Sequence, residues 1–359
     1  MAPETRKARI GVIGAGWWAV DNHLPILQRR EDVELAGVCR LGAGELERVR
    51  SRFGFPFATE DYRELLARPL DGVVIASPHV AHAEHARAAL ERGHHVMVEK
   101  PLTTSAADAR ALIDLARARG AHILIPHGWN FRPATRAARR LVRDGAVGEV
   151  RHVTLQMASA LHDLFDGQPL AGTETAAFRP AASTWADPRR AGGYGWGQLC
   201  HALGLLFRVV DLRPAAVFAL MAESATGADL YDALSIRFAG GATAAVSGSG
   251  TVPKGLGFQV DLRLFGSEGM LLYDLEEGRE RLDVRRERPD AGAPEPAAAG
   301  LAMHPGDGAY ACVEPVERFV DLCLGRPVEN DAPGEVGLRA VEVLDAAYRS
   351  ARSGRLEAV

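Results

Sequence analysis

With 359 residues the chain exceeds what one hydrophobic core usually serves, so two domains are expected. An apolar share of 47% is that of a globular protein, and a formal charge of -4, with arginines scattered rather than gathered among aromatics, argues against a nucleic-acid partner. Cys39, Cys200, Cys312 and Cys323 show no CxxC spacing, which predicts reduced thiols in a cytoplasmic protein. The opening MAPETRKARI runs straight into a strand with no expected signal peptide, and no apolar run approaches the ~18 residues of a membrane span.

The first strand, ARIGVIG, leads into Gly14-Ala15-Gly16-Trp17-Trp18-Ala19, a G-x-G-x-x-A turn. Gly14 permits the tight turn, and Gly16 lets the backbone approach a pyrophosphate lying on the amides of the next helix. Ala19 is small enough for close helix-strand packing where a third glycine is usual. A second strand, VELAGVC, arrives at βαβ spacing, which makes the turn a dinucleotide site rather than a bare glycine turn. Strands DGVVIAS, HHVMVEK and AHILIPH continue the alternation with helical stretches, and AADARALIDLARARG carries its aspartates early and arginines late, as the helix dipole favours. This is a doubly wound α/β pattern.

Beyond Pro126 the helix PATRAARRLVRDGAVG is followed by strands of period two: EVRHVTLQMA, AAVFALMAES, DALSIRFAG, ATAAVSGSG, GFQVDLRLFG and GMLLYDLEE. That alternation predicts an α+β domain with a large open, mostly antiparallel sheet, one face packed on helices. The other face, with AVFALMA and TAAVSGS, is too apolar for water, which predicts a homodimer or homotetramer formed through this sheet. Residues 161 to 193 form a long irregular stretch, usually a sign of function, and within it Trp185, His162 and Asp163 are candidates to line a pocket. The stretch RPDAGAPEPAAAGLAMHPGDG is expected to be mobile, and EVGLRAVEVLDAAYRSARSG to be an amphipathic helix.

Glu99-Lys100-Pro101 follows the strand HHVMV at its C-terminal end, the edge where open α/β sheets bind ligands. Pro101 restricts Lys100 to extended backbone angles, which fixes the direction of the lysine. An exposed lysine titrates near ~10.4, whereas acid-base work needs ~7 to 8; burial against a cofactor and the positive charge of an oxidised nicotinamide both push in that direction.

With these landmarks the chain resembles the glucose-fructose oxidoreductase, inositol dehydrogenase and MocA family over essentially its whole length. They run in order: the GAG loop; Ser77-Pro78-His79-Val80-Ala81-His82, similar to a T-P-N-x-x-H element; the EKP triplet; Gly128-Trp129-Asn130-Phe131-Arg132-Pro133; a Gly-Gly segment with a following histidine; and Glu317 to Pro327. The resemblance implies an NAD(P)-dependent dehydrogenase or reductase for sugars, cyclitols or their derivatives. It puts Lys100 in the catalytic lysine position and His201 in that of the family's histidine. Gly14, Gly16, Trp17, Trp18, Arg40, Ser77, Pro78, His79, His82, Glu99 and Lys100 are then the cofactor-binding candidates, and Lys100, Asn130, Trp185, Gln198 and His201 the substrate-binding ones.

Two departures bear on chemistry. Where many relatives read D-x-G-x-H-x-x-D, this chain has Gly197 and Gly204 in the acidic positions, so no carboxylate selects the His201 tautomer, and Gln198 supplies a hydrogen bond without charge. Lys100 is therefore expected to transfer the proton, with His201 assisting. At the end of the second strand Val38-Cys39-Arg40 replaces the acid usual for NAD. Unit charges ~4 Å apart at an effective dielectric of ~20 interact by about 4 kcal/mol, and a third of that is about tenfold in affinity, so NADP is expected over NAD. Arg40 stacking on adenine is the other reading. His79, His82 and His85 have helical spacing, but no Asp or Cys joins them and the family pattern puts His82 beside the cofactor, so no metal is expected.

The resulting expectation is a Rossmann domain over residues 1–126 and a substrate-binding and oligomerisation domain over 127–359, with the C-terminal helix packing back on the first and the site in the cleft between them. Two other readings stay open: a non-catalytic nicotinamide-binding sensor or regulatory protein, and a redox-assisted glycoside-modifying enzyme that recycles its bound cofactor.

Overall fold

The computed structural model describes residues 6–286 and 301–359. Its first strands are β1 (Ala8–Ile13), β2 (Val33–Cys39), β3 (Ala58–Thr59), β4 (Gly72–Ile75), β5 (His95–Val98) and β6 (Ile123–Leu124). They form one parallel sheet in the order β3-β2-β1-β4-β5-β6. Every residue of β4 is buried, as a strand covered on both faces requires. Strand order reverses at β1, which pairs with both β2 and β4, and this reversal places the Gly14 turn at the switch point of the sheet.

The intervening helices are α1 (Leu24–Arg29), α2 (Ala43–Phe53), α3 (Tyr62–Leu66), α4 (His82–Glu91) and α5 (Ala106–Arg119). α5 shows how the sequence sets its own ends. The Ser105 side chain accepts the Asp108 amide at the start, and Gly120 closes the helix at φ 63° after Arg117 and Arg119 in the last turn.

The next elements are α6 (Pro133–Arg143), β7 (Val150–Ala158), α7 (His162–Phe165), α8 (Ala182–Trp185), α9 (Cys200–Val209), β8 (Pro214–Glu223), β9 (Asp229–Phe238), β10 (Thr243–Ser249), β11 (Gln259–Gly266), β12 (Gly269–Asp274) and β13 (Arg281–Arg286). α10 (Val313–Cys323), α11 (Gly334–Ser353) and β14 (Glu357–Ala358) complete the chain. The second sheet has the order β13-β12-β11-β7-β10-β9-β8-β14 and is antiparallel except between β7 and β10. In β9 the period is plain: Leu230, Asp232, Leu234, Ile236 and Phe238 are buried, while Tyr231, Ala233, Ser235 and Arg237 are exposed in the single chain. α9, buried at every position, packs on β7 and α6 and covers the inner face.

Chain and compact unit do not coincide. The described residues up to Pro126 group with Pro169–Thr184 and Cys312–Leu338, and those of His127–Gln168, Trp185–Ala311 and Arg339–Val359 form the other unit. α10 belongs to the first unit because β4 begins with a glycine: a Cβ on Gly72 would stand 2.4 Å from Cys323 Sγ and 2.7 Å from the Phe319 ring. The long stretch after Leu161 contains α7, α8 and a short turn of 3-10 helix at Pro188–Arg190, and its segment Pro169–Thr184 lies in the first unit. Most of the stretch expected to be mobile, residues 288–300, lies outside the described residues. Leu301 just beyond it pairs with Leu282 of β13.

Candidate active site

In the first unit the phosphate turn is built by exclusion. Gly14 has φ 83°, and a Cβ there would lie 2.4 Å from the Ser77 amide nitrogen, so only glycine fits. At Gly16 the nearest atoms to a Cβ would be Arg40 Nη1 at 3.8 Å and the Gly14 carbonyl at 3.9 Å, which leaves an open cradle above the backbone. The helix that opens at Trp17 passes through a π-helical turn, Ala19–His23, before α1. This cradle with a helix N-terminus beside it fits the pyrophosphate of a dinucleotide. Trp17 and Trp18 stand edge to face at 5.5 Å between ring centroids. Arg40 Nη1 donates to the Ala15 carbonyl at 2.6 Å, and Arg40 Nε is buried without a partner. Burial pulls the Arg40 guanidinium below its ordinary range.

The EKP triplet sits behind this turn, fully inside. Glu99 and Lys100 are buried, and the Lys100–Pro101 peptide is cis. Glu99 accepts from His23 Nε2 at 2.7 Å and from the Lys100 amide at 3.1 Å. Burial alone would raise the Glu99 carboxyl, but the His23 hydrogen bond and the charges of His23 and Lys100 hold it below the usual range. A π turn from the cofactor loop is thereby tied to the lysine strand by His23, a residue the sequence reading did not single out. Its only signal was its place one helical turn past G-x-G-x-x-A.

Ser77, Pro78, His79 and His82 form the neighbouring rim. His82 is completely buried, with Nδ1 2.7 Å from the Pro101 carbonyl and Nε2 2.8 Å from that of Ser77. Burial pushes its imidazole down, and the neutral ring donates to one of these carbonyls at a time. His82 therefore latches the Ser77 loop to Pro101, and both its ring nitrogens are spent on backbone. Ser77 Oγ bonds His85 Nδ1 at 2.9 Å, Pro78 precedes the short turn His79–Ala81, and His79 is buried against His82. Among the described residues no group of three His, Cys, Asp or Glu side chains converges as metal ligands would.

In the second unit His201 is the second residue of α9, which follows directly on another π-helical turn, Gly195–Leu199; such turns recur at functional sites. The two glycines at the family's acidic positions have a physical reason. A Cβ on Gly197 would press on the rings of Phe165 and Trp185 at 3.1 Å, and one on Gly204 would meet the His127 ring at 2.7 Å. Rings fill the space of the missing carboxylates. The partner of His201 Nδ1 is instead the Tyr310 hydroxyl, 3.2 Å away, and His127, Trp129 and Tyr310 surround the imidazole edge to face. Tyr310 lies just beyond the Pro/Gly/Ala-rich stretch, where no periodicity marked it.

Asn130 Nδ2 donates to the Gly204 carbonyl at 3.1 Å, leaving Oδ1 buried without a partner, and Gln198 Oε1 is likewise buried and unpartnered. Two amide oxygens thus await donors near the histidine helix. Trp185 packs on Phe165 over Gly197. Asp163 is consumed by His162 and Lys254, at 2.8 Å each.

Cradle, buried lysine and histidine helix describe a nicotinamide-dependent oxidoreductase. Residues 8–127 match the family model of the GFO/IDH/MocA oxidoreductases with an NAD-binding Rossmann fold, and residues 135–272 match that of the GFO/IDH/MocA C-terminal domain. The chain belongs to this family. It is 27% identical to D-apiose dehydrogenase of Paraburkholderia graminis, covering 98% of this chain and 89% of that protein. It is also 27% identical to D-xylose 1-dehydrogenase (NADP(+)) 2 of Haloferax volcanii, covering 96% and 97%. Among solved structures, GenD2 from gentamicin A biosynthesis in complex with NAD superposes with a TM-score of 0.74 at 26% identity, over 100% of this chain and 99% of that one. The expected fold class and family hold, and the protein is an NAD(P)-dependent oxidoreductase. Among the described residues no helix is long and apolar enough to cross a membrane.

Proposed function

We propose that this oxidoreductase interconverts a secondary alcohol and a ketone on a sugar, cyclitol or glycoside, with Lys100 as the proton-transfer residue. The observation that carries the proposal is the burial of Lys100 beside the Glu99–His23 pair, in the same unit as the phosphate cradle. A bound nicotinamide supplies the hydride acceptor or donor. Lys100 Nζ takes the hydroxyl proton on oxidation and returns it on reduction. His201 hydrogen-bonds the reacting oxygen, and Asn130 Oδ1 and Gln198 Oε1 accept from neighbouring hydroxyls, a use that fits their unpaired state. Substrates of the relatives, D-apiose and D-xylose, support a carbohydrate. Purified protein mixed with NADP or NAD and a panel of monosaccharides, cyclitols, amino sugars and glycosides is expected to reduce the nicotinamide with at least one of them. Silence across the panel with the cofactor bound would favour a sensor, and product without net nicotinamide reduction would favour a recycled cofactor.

NADP is the proposed cofactor, supported by Arg40 at the end of β2, beside the Gly16 cradle. The first unit is proposed as the cofactor domain and the second as the substrate domain. A homo-oligomer formed through the outer face of the eight-stranded sheet, and a cytoplasmic location, complete the proposal; Leu220 and Tyr231 stand exposed on that face. Light scattering that finds only monomer would remove the oligomer.

Tyr310 fixes what His201 offers. A phenol that donates to Nδ1 leaves the proton on Nε2, so His201 acts as a donor to the substrate oxygen and not as the base. Tyr310→Phe is expected to lower kcat by roughly 2- to 10-fold, the worth of one hydrogen bond, and to shift the histidine limb of the pH-rate profile. An unchanged profile would mean that Tyr310 does not orient the ring.

A further inference from the structure

The segment Pro169–Thr184 carries Phe178 into the first unit, and the surroundings of that ring are unusual. The Arg40 guanidinium carbon lies over it, 4.0 Å from the centroid, and that of Arg48 in α2 lies over it at 4.9 Å. Arg48 Nη2 also donates to the neighbouring Ala177 carbonyl at 3.0 Å, so the segment is fastened to α2 by backbone as well as by ring. Two cations brought this close repel each other, and the negative faces of an aromatic ring offset only part of that cost. Each guanidinium carries five N–H donors and gives one of them to a backbone carbonyl, Arg40 to Ala15 and Arg48 to Ala177, so a doubly charged acceptor can be offered more than one donor from the pair.

Arg40 is also the nearest side chain to the open space over Gly16, 3.8 Å from where a Cβ would stand. The backbone donor that a phosphate at the start of α2 would otherwise use is taken, because the Gly42 amide donates to Glu60. Glu45 stands beside Gly42 and its charge acts on Arg40, so an anion here needs more than one cation to be held.

We propose that Phe178 assembles Arg40 and Arg48 into a two-guanidinium site for the phosphate monoester on the adenosine ribose of the cofactor. Arg48 and Phe178 thereby determine cofactor choice together with Arg40. The inference rests on the NADP preference proposed above and extends it to a segment remote in sequence from the nucleotide turn. Arg48 supplies the second charge, and Phe178 holds both long side chains in one geometry that neither would keep when solvated.

The test uses the full chain and calorimetric titration with adenosine 2',5'-bisphosphate and with 5'-AMP, so that no turnover is needed. The wild type is expected to prefer the bisphosphate. Arg48→Gln and Phe178→Leu are each expected to cut that preference by about tenfold, the lower end for a hydrogen bond to a charged group, while 5'-AMP affinity stays within about twofold. Thermal melting confirms that the variants fold. If the wild type shows no preference, the NADP reading and this inference fall together. If Arg40→Asp abolishes the preference while Arg48→Gln and Phe178→Leu keep it, NADP stands and the shared site does not. Equal weakening of both ligands by Phe178→Leu would make the segment a mere cover and overturn the inference as well.

Discussion

Lys100→Met is expected to lower kcat by about 10² to 10⁴ while NADP affinity stays within about threefold of wild type. The range is the usual worth of a positioned acid-base group, and methionine keeps the length and apolar stem of lysine at a site where the side chain is buried. Cofactor affinity is spared because the cradle is made by Gly14, Gly16 and the following helix, and because Glu99 keeps its pairing with His23 at 2.7 Å and its bond to the amide at position 100. Single-turnover kinetics with preloaded cofactor separate the chemical step from binding. Turnover like wild type would remove Lys100 from the mechanism. A loss of cofactor binding equal to the loss in rate would make it a structural lysine.

Periodicity made most of the architecture legible, because strands buried on both faces read as unbroken apolar runs and strands buried on one face alternate. VVI in β4 and DALSIRF in β9 are such cases. β13, written RLDVRR, escaped because a charged edge strand has little apolar signal, and β3 and β14 are two residues each. Gly14, Lys100 and His201 stood out because motifs mark them. Their partners did not: His23, Tyr310 and Phe178 lie 76, 109 and 138 residues from Glu99, His201 and Arg40 in sequence. Gly197 and Gly204 read as lost carboxylates in sequence, while in space Phe165, Trp185 and His127 occupy the room a side chain would need. Such exchanges between a small residue and a distant large one are volume effects, invisible to any local pattern.

Raising the pH is expected to destabilise the protein, and Asp232→Asn to abolish that dependence. Asp229 and Asp232 are both buried under the turn that leads to His201. Asp229 accepts from Tyr348 Oη and from the Gly195 amide, each at 2.7 Å, and Tyr348 Oη accepts from the Trp196 amide at 3.3 Å. Glycine is compelled twice here, since a Cβ on Gly193 would stand 1.9 Å from Asp229 Oδ1 and one on Gly195 2.7 Å from Tyr348 Oη. Burial raises both carboxyls, and the charge of Asp229 raises Asp232 further, well above the ordinary range. Asp229 has the Tyr348 hydroxyl and the Gly195 amide pointed at it, and the hydrogen bond between the two carboxyls lowers Asp229 and raises Asp232, so Asp232 is the one that keeps the proton and donates it to Asp229. A carboxyl whose folded value is raised contributes stability that is complete below the unfolded value near ~3.9, and that fades as pH climbs through the folded value. The midpoint of urea unfolding should therefore fall as the pH rises from the unfolded value through the raised folded value of Asp232. Asparagine at 232 replaces a neutral group with a neutral group and should flatten the curve with little loss at low pH. Asparagine at 229 turns an NH2 toward Tyr348 or Gly195, costs about 1 to 3 kcal/mol, and loosens the turn that delivers His201. A pH slope that survives intact in Asp232→Asn would place the shared proton elsewhere.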